Sequence, residues 1–373
     1  KNIYKMKKLY IAVLIMIMAA PIMTNAQGCV EPSSEEGIQL FGYLQAEYKL
    51  VSNGELGAPE NFAENSFYFN RARLGAMGNI PYDVSYYVLT EFSPTKEGPY
   101  ILDAFITWHG LGPWAKISVG QFKSPFGLEL STGCHLLNTI NRSAVVSNLA
   151  QPFRDMGVML SGGTDSLSIF GLKKKDIFTY KLAILNGSGL NKEDADKYKD
   201  VAARLVFSPF DFIALATSYR TGKSVNSDPS VTTPDKRTRF GLDLDFNYNN
   251  FILQAEYING KDEGTIFVGD GGCGGELTPM PGTAEKKGYM VQALYMTPWN
   301  LQPVVKYESF DVDIDAEFDK VNTLTFGFNY FINEWTRLQV NYLYNVEESS
   351  ETVIANYKEF PNDMFLVQLQ VIF

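Results

Sequence analysis

Three positively charged side chains are concentrated in a stretch of the chain that has no regular hydrophobic period. Lys123, Arg142 and Arg154 lie within residues 121–154, where Glu129 is the one acidic residue. Arginine presents a planar fork of donors that matches carboxylate and phosphate oxygens, and lysine adds a compact ammonium charge. Rings of such side chains build anion-selective pores. The chemistry that these residues predict is the binding of small anions in a confined place.

Two further arginines have a spacing that places them side by side. Arg71 and Arg73, in the segment FNRARLGAMGN, are two residues apart and therefore point to the same face of a strand. The same parity adds basic residues on other strands to this face: Lys116, Lys181, Arg204, Arg239, Lys306 and Arg337. It also adds acidic residues: Glu47, Glu91, Asp103, Asp243, Asp245, Glu256 and Glu308. Two interpretations stay open: the cations form a path for anions, or nearby carboxylates neutralise them on a solvated wall.

Alternation of apolar and polar residues defines the elements that must position these side chains. In residues 37–51, GIQLFGYLQAEYKLV, one face is mainly apolar and the other mainly polar. Similar segments of about 9–11 residues, the length that a tilted strand needs to cross a bilayer, recur along the chain. They lie near residues 66–77, 84–92, 101–108, 115–122, 153–160, 177–186, 199–207, 212–220, 238–246, 251–259, 288–297, 301–309, 321–330, 336–345 and 363–373. The total of sixteen is an even count, as in single-chain bacterial barrels, and sixteen strands enclose an aqueous channel.

The connections between these segments alternate in length. Short turns such as NIPYD, SPFD, NYNN and TPWN are rich in Pro, Gly, Asn and Asp, the residues that tight turns need. The long connections are residues 52–65, 123–152, 187–198, 221–237, 260–287, 310–320 and 346–362. One connection on the short-turn side, residues 161–176, is long and basic, and we predict that it hides a short hairpin. The pattern predicts an all-β, transmembrane antiparallel barrel of about 16 strands, give or take two, with the long third extracellular loop, residues 123–152, folded into the lumen.

Composition narrows the functional classes. The chain has 26 Phe, 21 Tyr and only 2 His, and a mean hydropathy of −0.11. After residue 26 no apolar run reaches the ~20 residues of a membrane-spanning helix, which excludes a helical membrane protein. The whole chain has 32 basic and 42 acidic residues, a net charge of −10. Without the four lysines of residues 1–26 the balance is 28 against 42, or −14, which disfavours nucleic acid as a partner.

The beginning of the chain has the three parts of a secretory signal peptide. A basic start at Met6, Lys7 and Lys8 precedes an apolar run over residues 9–20, and small residues follow up to Ala26. We therefore predict a signal peptide over residues 1–26, in which residues 1–5 are an extension upstream of the true start. A short periplasmic segment over residues 27–36 and a barrel over residues 37–373 follow.

The end of the chain has an alternating pattern that is relevant to assembly of the barrel. In the last segment, DMFLVQLQVIF, apolar residues occupy alternate positions: Phe365, Val367, Leu369, Val371 and Phe373. This stripe would face lipid, with the terminal aromatic ring at the membrane interface. It resembles the C-terminal signature by which bacterial barrel proteins are recognised for assembly. Phe373 is accordingly the predicted assembly signal.

Catalytic, metal and cofactor sites are not predicted. His109 and His135 do not neighbour a Ser or Asp motif of known spacing, so no nucleophile with a base is evident. Cys29, Cys134 and Cys273 have no metal-ligand spacing. Cys134 and Cys273 fall in predicted loops on the same side of the barrel, so a bridge between them stays open. We predict a protein that is not an enzyme and has no cofactor and no metal.

Four motifs resemble one family of bacterial outer-membrane proteins. FNRARLGAMGN, LDAFITW, VGQFKSPFGLE and AVVSNLAQPFRDMGVMLSG are similar to the phosphate-selective porin O and P family, chiefly over residues 38–220. The resemblance implies a sixteen-stranded, trimeric porin whose third loop enters the channel. Its anion-binding cations map by motif onto Arg71, Arg73, Lys123 and Arg154, and loop position adds Arg142. The chain departs from the family in lacking a full inward column of arginines.

The expected function is passive diffusion of small hydrophilic solutes across the outer membrane of a Gram-negative bacterium. We expect anions such as phosphate to be favoured at a constriction lined by Arg and Lys. A general, weakly selective porin is the alternative, and a receptor or adhesin barrel would need a plug or much longer loops. The predicted partners are a small anionic solute, lipopolysaccharide and other outer-membrane lipid, the barrel-assembly machinery and two further copies of the chain. The long loops are predicted to be extracellular and both termini periplasmic.

Overall fold

A computed structural model describes eight parts of the chain. They are residues 37–51, 65–169, 172–194, 196–225, 234–268, 278–317, 319–347 and 362–373. The predicted signal peptide, the predicted segment over residues 27–36 and Cys273 lie outside the described residues.

The described chain is built almost entirely of strands. They are β1 (Gly37–Val51), β2 (Asn65–Ile80), β3 (Val84–Glu91), β4 (Tyr100–Trp108), β5 (Lys116–Lys123), β6 (Arg154–Gly163), β7 (Leu167–Ile169), β8 (Leu172–Lys174), β9 (Phe178–Leu185), β10 (Asp200–Phe210), β11 (Ile213–Ser224), β12 (Asp235–Tyr248), β13 (Phe251–Val268), β14 (Thr278–Tyr295), β15 (Leu301–Asp311), β16 (Lys320–Phe331), β17 (Thr336–Glu347) and β18 (Met364–Ile372). Two short helices, α1 (Leu128–Ser131) and α2 (Ala144–Leu149), lie in the loop between β5 and β6. Single 3₁₀ turns occur at Pro94–Lys96, Gly112–Trp114 and Cys134–Leu136. Within the described residues no helix has the length and apolar character to cross a membrane.

Sixteen of the strands close into one antiparallel barrel. Each barrel strand pairs with its neighbours in chain order, and β18 pairs with β1 to close the ring. The remaining two, β7 and β8, form a separate hairpin between β6 and β9. The predicted sixteen-stranded barrel is confirmed, as is the hairpin predicted within residues 161–176.

The barrel has an apolar outside and a polar inside, the reverse of a soluble protein. In β18, Phe365, Leu369 and Val371 are exposed, whereas Gln368 and Gln370 are buried. Charge on a lipid-facing wall would cost roughly 2–4 kcal/mol per residue near the midplane, so polar side chains turn inward. The period-two pattern of the sequence is thus a direct record of which side of the wall each residue occupies.

A bulge in β2 explains an apparent conflict in the sequence pattern. Strict alternation puts Phe67 and Phe69 on the same face as Arg71, yet the two rings are 84% and 44% exposed and the arginine is buried. The register between β1 and β2 shifts at Gln45, which leaves Asn70 as the extra residue. A bulge reverses the parity of a strand on its two sides. The arginines therefore face inward while the phenylalanines face outward.

The prediction of a loop over residues 260–287 is wrong at both of its ends. Strands β13 and β14 continue as a paired ribbon to Val268 and Thr278. Gly, Pro and charged residues interrupt the alternation there, because a ribbon that extends beyond the barrel needs no lipid-facing side. The backbone pairing continues without the apolar stripe that made the other strands visible in the sequence.

Phe373 completes the seam at which the barrel closes. Its N–H donates to the Gly42 carbonyl oxygen (3.0 Å) and its carbonyl oxygen accepts from the Gly42 N–H (2.7 Å). A Cβ on Gly42 would lie 2.7 Å from the Phe373 ring, so the ring covers the bare backbone of β1.

Deletion of Phe373 should lower the fraction of heat-modifiable, folded barrel in outer membranes, because the seam loses two hydrogen bonds and its aromatic cover. Gel mobility of unheated membrane samples measures that fraction. The variant Phe373→Tyr keeps the ring and both backbone bonds and should fold like the parent chain. Equal folded yields with and without Phe373 would contradict this role.

Candidate functional site

Near its start, the loop between β5 and β6 has a glycine that lies directly against the barrel wall. Gly127 has φ +66°, and a Cβ at this position would lie 2.0 Å from the Glu256 carboxylate of β13. Its N–H donates to the Ser218 hydroxyl of β11 (3.0 Å). The preceding Phe126 is fully buried in an apolar cluster. A residue with a side chain could not bring the backbone this close to the wall.

A second contact between loop and wall is apolar. On helix α2, Val145 and Leu149 pack with Ile258 of β13 and Phe310 of β15. All four side chains are buried. Burial of an aliphatic side chain stabilises by roughly 1.5–3 kcal/mol. The spacing of the apolar residues on α2 therefore fixes one side of the loop to strands β13–β15.

The middle of the loop contacts β16 and β17, which follow β15 in the ring and lie opposite the strands that flank the loop. The Asn329 amide of β16 donates to the Asn138 carbonyl oxygen (3.0 Å). The Asn341 side-chain oxygen of β17 accepts from the Ile140 N–H (2.8 Å). These wall residues belong to the buried, inward face. The loop thus makes contacts with inward-facing side chains on widely separated strands.

Cationic side chains hold the loop by its carbonyl oxygens. Lys123 and Arg142 both donate to the Thr132 carbonyl oxygen at 2.9 Å. Arg71 reaches the Ile140 carbonyl oxygen (3.5 Å), and Arg337 reaches that of His135 (2.9 Å). A carbonyl oxygen carries only a partial charge, so it orients a guanidinium group without neutralising it. The positive charge of the loop and wall is therefore positioned but largely retained.

The five cations that the sequence singled out come together around Cys134. The Sγ atom lies 3.2 Å from Nη1 of Arg73 and 3.4 Å from Nη1 of Arg142. A small cavity beside it is lined by Arg73, Lys123 and Arg154, among others. Arg71, two residues from Arg73 on β2, lies on the same inward face. We call these five residues, Arg71, Arg73, Lys123, Arg142 and Arg154, the loop-tip cluster.

Two members of the loop-tip cluster have carboxylate partners on the wall. Nε of Arg73 lies 2.8 Å from the Glu91 carboxylate. Arg154 forms a bidentate pair with Asp103, with both N–O distances at 3.0 Å. All four side chains are buried. These arginines fit the interpretation of a neutralised wall.

Three arginines at this level of the lumen lack such a partner. Among the residues that the structure describes, no ion pair involves Arg71, Arg142 or Arg337. Arg71 donates to the Gln45 side-chain oxygen (2.7 Å), and the partners of the other two are carbonyl oxygens, the Gln370 amide and the Cys134 sulfur. The nearest acid on β1, Glu47, instead accepts from Tyr68 and Asn70. The excess of positive charge therefore lies with these three arginines.

Two titratable residues of the loop have pKa values that differ from their ordinary values. Burial acts to raise the pKa of the Cys134 thiol, but Arg142 and Arg73 outweigh burial and bring that pKa well below its ordinary value. Burial also lowers the pKa of His135 to about 4, with Lys123 acting in the same direction. The imidazole is neutral at neutral pH and adds no charge to the site. The shift of Cys134 has the sign expected of a positive surrounding, whereas that of His135 is due chiefly to burial.

The remaining inward cations are mostly paired. Arg204 forms a bidentate contact with Asp243, and Arg220 contacts Asp200 at 2.7 Å. Lys306 lies between Glu129 and a second carboxylate of β15. Lys181, predicted to face inward, is exposed. Away from the loop tip the wall is a mixture of neutralised charges.

Arg337 and Cys134 were not among the predicted site residues. Strand parity gives the inward direction of Arg337, but the sequence contains no signal for its height relative to the loop. Cys134 had only a pairing with Cys273 to suggest a role. It is a free thiol whose contacts are with arginines. Carbonyl oxygens of a folded loop leave no trace in residue types, so these contacts had no sequence signal.

Three comparisons relate the chain to known proteins. The family model described as "Phosphate-selective porin O and P" matches residues 44–373. A search of curated protein sequences found no match. The fold is similar to an anion-selective porin from Comamonas acidovorans, with a TM-score of 0.62 and 13% identity over 91% of this chain and 100% of the other. It is also similar to the outer membrane channel DcaP of Acinetobacter baumannii, with a TM-score of 0.61 and 13% identity over 93% and 100%. A trimer form of OmpT from Vibrio cholerae gives a TM-score of 0.58 and 13% identity over 90% and 99%.

Proposed function

Because this chain belongs to the phosphate-selective porin O and P family, we propose that it is an outer-membrane porin that favours small anions such as phosphate. Small hydrophilic solutes diffuse passively through its lumen. They pass a constriction between the loop and the wall, where the loop-tip cluster supplies the anion-binding donors. The protein performs no chemistry on the solute, so it is not an enzyme.

The observation that carries the anion preference is that Arg71 and Arg142 have no carboxylate partner in the described part of the chain. Their direct partners are neutral oxygens and, for Arg142, also the Cys134 sulfur, and Arg337 adds a third guanidinium group whose described partners are neutral oxygens. A unit charge about 4 Å from an ion contributes about 4 kcal/mol at an effective dielectric constant near 20. Charges that lie farther from the ion than the ~8–10 Å Debye length at physiological salt are largely screened. The local cluster therefore outweighs the net charge of −10 of the whole chain.

A general, weakly selective porin is the second candidate function. The pairs Arg73–Glu91 and Arg154–Asp103 support it, since each removes one predicted anion-binding residue from the positive side of the balance. The mixed wall away from the loop tip supports it as well. The two candidates differ in one property, namely whether a phosphate ion competes with chloride for a site.

We also propose the surroundings in which the porin works. Three copies form a homotrimer, as the trimer form of OmpT suggests for a barrel of this fold. The long loops face the cell exterior beside lipopolysaccharide, and both termini face the periplasm. The barrel-assembly machinery recognises the strand that ends at Phe373. The orientation follows from the alternation of long and short connections, whereas the trimer and the assembly step extend the family assignment.

Phosphate should reduce the chloride current through single channels of the purified protein in a planar bilayer. The reason is that a divalent oxyanion binds the guanidinium groups more strongly than chloride does and leaves more slowly. The measurement is chloride conductance before and after addition of phosphate at constant ionic strength, with sulfate as a comparison. A chloride current that phosphate does not change would favour the general porin.

A further inference from the structure

One lysine on the barrel wall lies between two carboxylates where the loop meets strand β15. Nζ of Lys306 is 3.2 Å from Glu129, on helix α1 of the loop, and 3.0 Å from Glu308, two residues along the same strand. All three side chains are buried. We call them the anchor triad. It is separate from the loop-tip cluster and shares no residue with it.

Glu129 is bonded at every one of its polar atoms. Its N–H donates to the Glu256 carboxylate of β13 (2.9 Å), and its carbonyl oxygen accepts from Nε of Arg142 (2.9 Å). One carboxylate oxygen accepts from Lys306, and the other accepts from both the N–H and the hydroxyl of Ser143 at 2.7 Å. A single loop residue thus joins two wall strands, the next helix of the loop and an arginine of the loop-tip cluster.

Glu308 completes the connection on the wall side. Its carboxylate accepts from the Ala144 N–H (3.1 Å), the residue that begins helix α2. Lys306 therefore pairs with two carboxylates, of which one belongs to helix α1 of the loop and the other accepts from the first residue of helix α2. The apolar contacts of α2 lie directly behind this point.

We propose that Lys306 is the positioning residue that fixes how far the loop extends into the lumen and where Arg142 lies. This inference rests on the proposed function, since it assumes a pore whose width and charge the loop determines. The physical reason is the balance of buried charge. Removal of one partner of a buried ionic group leaves an uncompensated charge, which is strongly destabilising. Without Lys306, two buried carboxylates face each other and the one on the loop is driven away from the wall.

The variant Lys306→Gln should lower single-channel conductance about twofold, because the loop that is driven away from the wall narrows the lumen. It should also weaken anion preference, because Arg142 loses the position that Glu129 gives it. Adding Glu129→Gln to Lys306→Gln removes the repulsion between the carboxylates and should return conductance towards that of the parent. Rescue by loss of a second charge is not expected if Lys306 merely supports folding. Lys236→Gln, which removes one partner of an exposed pair at 2.8 Å, is the control of equal charge change.

Labelling of Cys134 gives a readout that does not require conduction. The thiol is free and buried in the loop, so N-ethylmaleimide should modify it slowly in the parent protein. Mass spectrometry of the peptide that contains Cys134 should show labelling several-fold faster in Lys306→Gln and unchanged in Lys236→Gln. If the purified parent forms no channel but labelling still responds to Lys306→Gln, the proposed function fails and the anchor stands.

Parent-like conductance and parent-like labelling would overturn the inference. Should Lys306→Gln conduct and label like the parent, the anchor triad does not position the loop. If that variant does not fold, Glu129→Gln alone decides, because it leaves Lys306 and Glu308 as a neutral pair. Unchanged conductance together with unchanged labelling in Glu129→Gln would likewise overturn the proposal.

Discussion

Replacing Gly127 by alanine should displace the start of the loop from the wall into the lumen and lower single-channel conductance about twofold. The added Cβ would lie 2.0 Å from the Glu256 carboxylate, and the residue has φ +66°. Backbone strain of this kind costs about 1–3 kcal/mol for a residue other than glycine. The clash adds to it, and the loop can relieve both only by moving inward from β13. It then loses the hydrogen bonds to Ser218 and Glu256.

The control for this prediction is another glycine of similar backbone conformation. Gly112 has φ +69° and no atom within 4 Å of the position of a Cβ. Gly112→Ala therefore carries the backbone strain without the clash, in the short turn at the opposite end of β5 from the loop. We expect parent-like conductance from Gly112→Ala. If Gly127→Ala also conducts like the parent, the close approach of the loop to β13 does not control the pore.

Replacing both Arg71 and Arg142 by glutamine should lower the ratio of anion to cation permeability by about tenfold or more. A difference of 1.4 kcal/mol already corresponds to a factor of ten. Neither arginine has a carboxylate partner in the described part of the chain, so no buried acid is left unpaired by the change. The barrel should therefore fold normally. Reversal potentials of the variant in a salt gradient measure the ratio.

The variant Lys181→Gln serves as the comparison for the arginine variant. Combined with Lys116→Gln, it also removes two positive charges. Lys181 is exposed on the inward face of β9, where water and salt screen its charge. We expect only a small shift of the reversal potential from this pair. A shift as large as that of the arginine variant would mean that total charge, and not the loop tip, determines selectivity.

The barrel could be predicted strand by strand because the membrane constrains every second residue. Leu369 and Gln368 differ in burial since one faces outward and the other inward, and the sequence records that difference directly. Outside the membrane this constraint is absent, and the strands are no longer visible in the sequence. The ribbon up to Val268 and Thr278 has no apolar stripe, so the sequence pattern predicts a loop there.

The loop-tip cluster could be predicted in part, because five cations with few acids nearby form a visible pattern. Their pairing could not be predicted. Arg73 and Arg71 are two residues apart on one strand, yet one meets Glu91 and the other Gln45. The register of β2 against both neighbours and its bulge decide this difference. The path of the loop depends on backbone contacts such as that of Arg337 with the His135 carbonyl oxygen, which no residue pattern encodes.

The role of the loop-tip cluster as an anion-binding constriction stays a prediction, and the reversal potential of the parent protein tests it most directly. Purified protein in a planar bilayer, with a tenfold gradient of potassium chloride, gives the sign of selectivity without any substitution. We predict the sign of an anion-preferring pore, because no carboxylate in the described part of the chain pairs directly with Arg71 or Arg142. A potential with the sign of cation preference would contradict the proposed function at its centre.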